Sequence, residues 1–169
     1  LMIQVSNTIR IQVETSMGTM KGFVYNETPQ HRDNFVKHIR DMFYDSLLWH
    51  RVIPGFMIQG GDPDSRNAKP GAPLGMGGPS YQVPAEFVDS LAHVKGAIAA
   101  ARNNNPEKKS SGSQFYIVAG RPVAERELSL QEFKHNFKYT DAVKAEYYAL
   151  GGVPFLDHDY TVFGKITEG

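Results

Sequence analysis

Apolar and polar side chains alternate near the start of the chain, with the period of two that is typical of a half-buried strand. The alternation runs from Ile9 to Glu14 and is followed by the turn-like residues 16–19. Residues 20–25 are therefore predicted to return as the second strand of a hairpin. Short apolar runs predict further strands on either side of Pro54-Gly55 and over residues 94–101, 113–119 and 160–166.

Two segments instead carry apolar residues at the three- and four-residue spacing of an amphipathic helix. The first is preceded by a Thr-Pro pair, so a helix is predicted over residues 29–42 with Thr28 as its N-cap. The second covers residues 129–150 and contains two successive apolar stripes, and Gly151 is expected to end it. Short strands outnumber helices, which favours a barrel or a sandwich without deciding between them.

Residues 62–86 are rich in Gly, Pro, Asn and Ser, and they are predicted to form a long loop. Long ordered loops inside a compact domain are often functional. Leu74, Met76 and Tyr81 interrupt the polar run, which indicates that the loop packs against the rest of the chain.

Composition narrows the function classes. A length of 169 residues is typical of one domain, residues 1–169, and the formal net charge of zero provides no basic field for nucleic acid. No apolar run approaches the ~20 residues of a membrane span. The absence of cysteine excludes disulfides and thiol catalysis. We expect a monomer without nucleic-acid partners, and the compartment stays open between the cytoplasm and, after signal-peptide removal, the periplasm or the exterior.

The segment from Trp49 to Asp62 is the most informative, because it sets one permanent cation and one amide among large apolar side chains. Arg51 and Gln59 are not expected in a plain core strand, since unpaired buried polar groups cost several kcal/mol. Phe56 and Met57 are equally untypical of a solvated loop. The segment is therefore interpreted as a wall between the core and a cleft.

This segment resembles the signature of the cyclophilin-type peptidyl-prolyl cis-trans isomerases, and three further blocks extend the resemblance in the same order. These blocks are Glu14 to Gly18 with Pro29 and Asn34-Phe35, then Gly112 to Ile117, then Leu156-Asp157 with Val162 to Lys165. The resemblance implies a mainly β fold: an antiparallel eight-stranded cyclophilin-like barrel capped by helices, with a helical insertion at about residues 121–153. The family's final helix and closing strand are expected to be missing from this chain.

The resemblance also implies roles for single residues. Arg51 matches the catalytic arginine, and Gln59 matches the glutamine that contacts the substrate backbone and orients the arginine. The positions of the proline pocket are Phe56, Met57, Tyr116 and Leu156. Further substrate-binding positions are Ala101 and Arg102, whose backbone would pair with the peptide, and Gln114, Phe155 and Tyr160. The family's reaction needs no cofactor, and no metal site is expected.

Two departures from the family pattern carry expectations of their own. Phe155 stands where many members have Trp, which removes an indole N–H that the cyclic peptide cyclosporin uses, so cyclosporin binding is expected but weakened. Tyr116 stands where the family has Phe, and its added hydroxyl must find a hydrogen-bond partner.

The sequence thus predicts an isomerase that acts on X-Pro bonds of peptides and unfolded proteins and assists their folding. Arg51 would stabilise the twisted peptide bond by a hydrogen bond. The alternative is a proline-peptide binding or chaperone module with little turnover. A carrier with a ligand inside the barrel is disfavoured, because large apolar residues should fill a small barrel.

Overall fold

An antiparallel sheet forms the frame of the structure, a computed structural model in which residues 7–169 are described. The strands are β1 (Ile9–Thr15), β2 (Gly18–Val24), β3 (Arg51–Ile53), β4 (Met57–Gly60), β5 (Gln82–Val83), β6 (Ala97–Ala100), β7 (Ser110–Ser111), β8 (Phe115–Val118) and β9 (Val162–Glu168). Seven of them form one sheet in the order β1-β2-β9-β6-β8-β4-β3, and β5 pairs with β7 separately. The large sheet curls into a half-barrel, and the expected mainly β, cyclophilin-like architecture is confirmed.

The predicted opening hairpin is confirmed by the register of β1 and β2, which pair from Ile9↔Val24 to Thr15↔Gly18. On its other side β2 pairs with β9, and the register shifts next to Gly22. A Cβ at this position would lie 2.1 Å from the carbonyl oxygen of Lys165. Only glycine therefore lets the two strands approach this closely.

The two faces of the sheet bury different sets of side chains, as the alternation along a strand requires. Helix α1 (Pro29–Arg40) covers one face, where the Phe35 ring lies 5.1 Å from the rings of both Phe115 and Phe163. Tyr116, the neighbour of Phe115 on β8, belongs to a second apolar cluster on the opposite face. The predicted site residues lie on this second face.

The predicted helical insertion, residues 121–153, is confirmed as two helices, α2 (Glu125–His135) and α3 (Asp141–Leu150). Asn136 ends α2 with a left-handed φ of 53°, a conformation that asparagine tolerates better than most residues. The Thr140 side chain then accepts a hydrogen bond from the Val143 N–H and starts α3. Gly151 ends α3 as predicted, with a φ of 76°.

Several local predictions were wrong in detail. Thr28 occupies the N-cap position of α1, but its side chain makes no capping hydrogen bond, and its hydroxyl is buried without a partner among residues 7–169. The loop predicted over residues 62–86 contains the two-residue strand β5, which pairs with β7, because strands this short produce no periodic pattern in the sequence. Within the described part of the chain, none of the helices has the length and apolarity needed to cross a lipid bilayer.

Candidate functional site

A chain of side-chain hydrogen bonds begins at Arg51. This residue and Gln59 are direct partners across the hairpin of β3 and β4. Arg51 Nη1 donates to Gln59 Oε1 at 3.3 Å, and Gln59 Nε2 donates to Gln114 Oε1 at 3.1 Å. Gln114 Nε2 in turn donates to the carbonyl oxygen of Gly77 at 2.7 Å. We call Arg51, Gln59, Gln114 and Gly77 the amide relay; it ties the guanidinium to the loop of residues 62–86.

The loop end of the relay is fixed by a buried carboxylate that sequence analysis did not single out. Asp62 lies two residues beyond the end of β4, and it accepts hydrogen bonds from the backbone N–H groups of Asp64, Gly75 and Gly77. A Cβ on Gly77 would lie 2.2 Å from Asp62 Oδ1, so only a glycine at position 77 lets the backbone come this close to the carboxylate. The prediction that the loop packs through its apolar residues fails for Met76, which is 96% exposed, and the loop is held by this carboxylate instead.

We expect acid to weaken the loop through Asp62. Burial alone would raise the pKa of this carboxyl, but the hydrogen bonds from Gly75, Asp64 and Gly77 outweigh burial and hold its pKa below the usual range. A group with a lowered folded-state pKa contributes stability above its unfolded-state pKa, about 3.9 for aspartate. That contribution is lost as the pH falls through the folded-state pKa.

The measurement is urea unfolding of the wild type and of Asp62→Asn between about pH 2 and pH 7. The difference in unfolding free energy between the two proteins should be largest at neutral pH and shrink on acidification. A difference that stays constant over this pH range would contradict the assignment.

The apolar side chains predicted for the site pack together in one cluster on the face opposite to α1. Six of the predicted site residues belong to it and are called here the apolar patch: Phe56, Met57, Ala101, Tyr116, Leu156 and Tyr160. Met57, Tyr116 and Leu156 are buried, whereas Phe56 and Tyr160 are partly exposed at its edge. The guanidinium carbon of Arg51 lies 5.9 Å from the centre of the Phe56 ring. Arg51 is therefore solvent-exposed but adjacent to the patch.

Two further predicted residues lie at the edge of the apolar patch. The Phe155 side chain is 45% exposed, and its ring centre lies 5.6 Å from that of Phe56. The Arg102 guanidinium lies over the Tyr160 ring at 4.6 Å. The Arg102 Nε also donates to the backbone carbonyl of Asp159 at 2.8 Å, which holds the guanidinium in place.

The backbones of Ala101 and Arg102 differ in their availability. The Ala101 N–H donates to the Gln114 carbonyl at 2.9 Å, and the Ala101 carbonyl accepts from the Ser111 N–H at 2.8 Å. Ala101 is thus already engaged within the fold. The backbone N–H and C=O of Arg102 have no hydrogen-bond partner among the described residues, so of the two residues Arg102 has the backbone groups open to a peptide.

A second polar network, missed by sequence analysis, lies buried behind the patch. Asp157 Oδ1 is 2.6 Å from His93 Nδ1 and accepts the His93 backbone N–H at 2.8 Å. Asp157 Oδ2 accepts from the hydroxyls of Tyr139 and Tyr147, both at 2.5 Å. His93 Nε2 is 2.9 Å from the Tyr116 hydroxyl. We call these five residues the Asp157 network.

The network supplies the partner that the Tyr116 hydroxyl was expected to need. The Tyr116 hydroxyl was the one sign in the sequence that a buried partner was needed. Nothing in the sequence around Tyr116 identifies that partner as His93. Among the residues that the structure describes, no group of three or more His, Asp or Glu side chains is placed to hold a metal ion.

Residues 10–169 match the family model described as cyclophilin type peptidyl-prolyl cis-trans isomerase/CLD. The chain belongs to the cyclophilin family. The assignment makes it an isomerase by family and confirms the resemblance inferred from the four sequence blocks. Two bacterial relatives carry peptidyl-prolyl cis-trans isomerase in their names. The protein of Staphylococcus epidermidis strain RP62A is 34% identical over 167 residues, covering 96% of this chain and 78% of the relative. That of Staphylococcus aureus strain USA300 is 35% identical, covering 95% and 77%.

Solved structures support the fold independently of close sequence similarity. A cyclophilin-type isomerase of Cryptosporidium parvum superposes with a TM-score of 0.67 at 22% identity, covering 96% of this chain and 79% of that one. A second crystal structure of that cyclophilin, determined in the presence of the dipeptide Ala-Pro, has a TM-score of 0.62 at 21% identity, covering 94% and 78%. The cyclophilin AquaCyp293 of Hirschia baltica gives a TM-score of 0.64 at 19% identity, covering 96% and 66%.

Proposed function

We propose that the chain isomerises X-Pro bonds of peptides and unfolded proteins, with Arg51 as the hydrogen-bond donor to the twisted bond and the apolar patch as the site for the proline ring. The supporting observation is the guanidinium of Arg51, attached to Gln59 and lying 5.9 Å from the centre of the Phe56 ring at the patch edge. By speeding the slow X-Pro steps of refolding, the activity would assist protein folding.

The energetic demand of the reaction suits such a site. Resonance across the C–N bond creates a barrier of about 18–20 kcal/mol, and uncatalysed exchange takes tens of seconds or longer. Bringing exchange to milliseconds requires about 10⁴-fold acceleration, or about 5–6 kcal/mol. No bond is broken, so the protein needs only to bind the twisted state more tightly than either planar state.

A hydrogen bond to the prolyl nitrogen provides this difference in binding. The nitrogen lone pair is delocalised in the planar states and becomes available as an acceptor only when the bond is twisted. A guanidinium carries five N–H donors and keeps its charge in an apolar setting. Gln59 accepts a hydrogen bond from Nη1 of Arg51, and Gln114 holds Gln59 by a second hydrogen bond. The remaining N–H donors of the guanidinium therefore keep a defined direction.

The apolar patch would hold the proline ring while the preceding carbonyl swings. Burying apolar surface is worth about 25 cal/mol per Å², so one proline ring contributes a few kcal/mol. A crystal structure of the Cryptosporidium cyclophilin was determined in the presence of the dipeptide Ala-Pro, which carries such a ring. The open backbone groups of Arg102 would pair with the peptide beside the ring.

The test is a protease-coupled assay in which the protease cleaves only the trans form of a short X-Pro peptide. The exchange rate should rise in proportion to the concentration of the chain, above the uncatalysed rate. Peptide binding measured by calorimetry without any acceleration would instead favour the binding or chaperone module.

Phe155→Trp is expected to strengthen cyclosporin binding. Phe155 is 45% exposed at the patch edge, where an indole N–H would be accessible to a bound cyclic peptide. One net hydrogen bond is worth about 0.5–1.5 kcal/mol, so we expect affinity to rise about 2- to 10-fold, with X-Pro turnover nearly unchanged. Titration with cyclosporin measures the effect. Phe133→Trp, at an 87% exposed position on α2, is the matched control, and equal affinities of Phe155→Trp and the wild type would rule the idea out.

A further inference from the structure

The Asp157 network joins the helical insertion to the apolar patch. We propose that Tyr139 and Tyr147 are positioning residues for the patch, acting through Asp157 and His93 on Tyr116. The inference builds on the proposed function, because it assigns the insertion a part in holding the substrate proline. The rings of Tyr139 and Tyr147 pack in the apolar cluster of the insertion, and the proposal gives their hydroxyls a separate role.

The Asp157 carboxylate connects the insertion to His93. Asp157 is 3% exposed and accepts four hydrogen bonds, two from His93 and one from each insertion tyrosine. Tyr139 lies between α2 and α3, and Tyr147 lies on α3. Because both hydroxyls reach the same oxygen, they fix the plane of the carboxylate from the side of the insertion.

The hydrogen bonds between Asp157 and His93 and between His93 and Tyr116 have defined directions. A carboxylate can only accept, so His93 Nδ1 must be the donor to Asp157 Oδ1. In a neutral imidazole the other nitrogen is then the acceptor, and the Tyr116 hydroxyl donates to His93 Nε2. Burial raises the pKa of the Tyr116 phenol, which keeps its proton for this bond. The carboxylate thus sets the histidine tautomer that holds Tyr116.

The network contacts the apolar patch at two of its residues, Tyr116 and Leu156. The Tyr116 and His93 rings lie nearly parallel, with an interplanar angle of 16° and centres 5.9 Å apart, and Tyr116 packs edge-on against Tyr160 at 6.1 Å. Leu156, another patch residue, directly precedes Asp157 in the chain. The network therefore fixes one patch side chain through its hydroxyl and a second through the adjacent backbone. Small displacements of groups that position a substrate are costly for catalysis.

A double-mutant cycle tests this role with Tyr147→Phe, Tyr116→Phe and the combined variant. Tyr147→Phe alone should lower kcat/KM for an X-Pro peptide about 3- to 10-fold, mainly through a higher KM. In the Tyr116→Phe background the same change should have almost no effect, because the connection to the patch is already cut. Tyr148→Phe, next in the chain and 52% exposed, is the matched control and should leave kcat/KM unchanged.

The stability of each variant separates positioning from simple packing. Tyr147→Phe should lower the urea midpoint in both backgrounds, since the lost hydroxyl served Asp157 in each. An equal loss of kcat/KM in both backgrounds, or a lower midpoint without any loss, would overturn the proposal. Tyr139→Phe should behave alike, and combining it with Tyr147→Phe should cost more than either change alone, because one hydroxyl can partly replace the other.

The cycle also stays informative if the proposed function fails. The affinity of the same X-Pro peptide, measured by calorimetry, replaces kcat/KM when the wild type shows no turnover. Coupling between Tyr147 and Tyr116 in affinity would then support the positioning role for a binding module. Absence of coupling in both measurements would reject the positioning role independently of the isomerase activity.

Discussion

Replacing Arg51 with alanine is expected to lower kcat/KM for X-Pro peptides by about 10²–10³-fold, the range seen when one preorganised donor to a transition state is removed. The loss should fall on kcat with little change in KM, because the prolyl nitrogen accepts a hydrogen bond only while its bond is twisted. Arg51 is exposed and attached to Gln59 by a single hydrogen bond of 3.3 Å, so its removal should barely change the urea midpoint. The protease-coupled assay measures both kinetic constants.

Two further variants make the Arg51 result specific. Arg51→Lys keeps a cation but loses the rigid fork, and it should retain activity between those of alanine and the wild type. Arg10→Ala removes another exposed strand arginine, on β1 at the far edge of the sheet, and should leave the rate unchanged. A loss of less than about threefold in Arg51→Ala would exclude the proposed mechanism, because it is far below that range.

Replacing Asp157 with alanine is expected to lower the free energy of unfolding by about 3–5 kcal/mol, as when one partner of a buried charged network is removed. The change leaves four donors without their acceptor: two N–H groups of His93 and the hydroxyls of Tyr139 and Tyr147. Native domains are stable by only about 5–15 kcal/mol, so the variant should be close to unfolding at physiological temperature. Urea unfolding followed by circular dichroism measures the loss.

Asp89→Ala is the matched control for Asp157→Ala. The Asp89 side chain is 60% exposed, and its one ion-pair partner within residues 7–169 is His158, at 3.3 Å. Exposed ion pairs contribute about 0–1 kcal/mol, so this variant should unfold almost like the wild type. If the Asp157 variant lost no more than the Asp89 variant, the buried carboxylate would not be a structural centre of the fold.

Much of the fold and most of the candidate site could be predicted from local patterns. Alternation located β1, which has one exposed face, and short apolar runs located β6 and β8, whose residues are all buried. Arg51 and Gln59 were recognisable because polar groups are rare among apolar neighbours, and their direct pairing follows from the tight turn at Pro54-Gly55. The end of α3 followed from Gly151, whose positive φ favours glycine.

The Asp157 network could not be predicted in the same way. Its hydrogen bonds join residues 10 to 64 positions apart, and such pairs meet only through the packing of the insertion against the sheet. Tyr139 and Tyr147 contribute to the apolar cluster of the insertion, which gives no sign of what their hydroxyls contact. Thr28 shows the opposite case, where a strong local preference for capping was not realised in the structure.

The separation of the sheet into two faces lets the patch be varied while the packing under α1 is kept. Along β8, Phe115 and Ile117 pack on the side of α1, whereas Tyr116 and Val118 belong to the cluster that carries the patch. A library that varies only Tyr116 and Val118 would therefore change peptide preference while the packing under α1 stays intact. The complementary library, at Phe115 and Ile117, would vary the packing under α1 and leave the patch side chains in place.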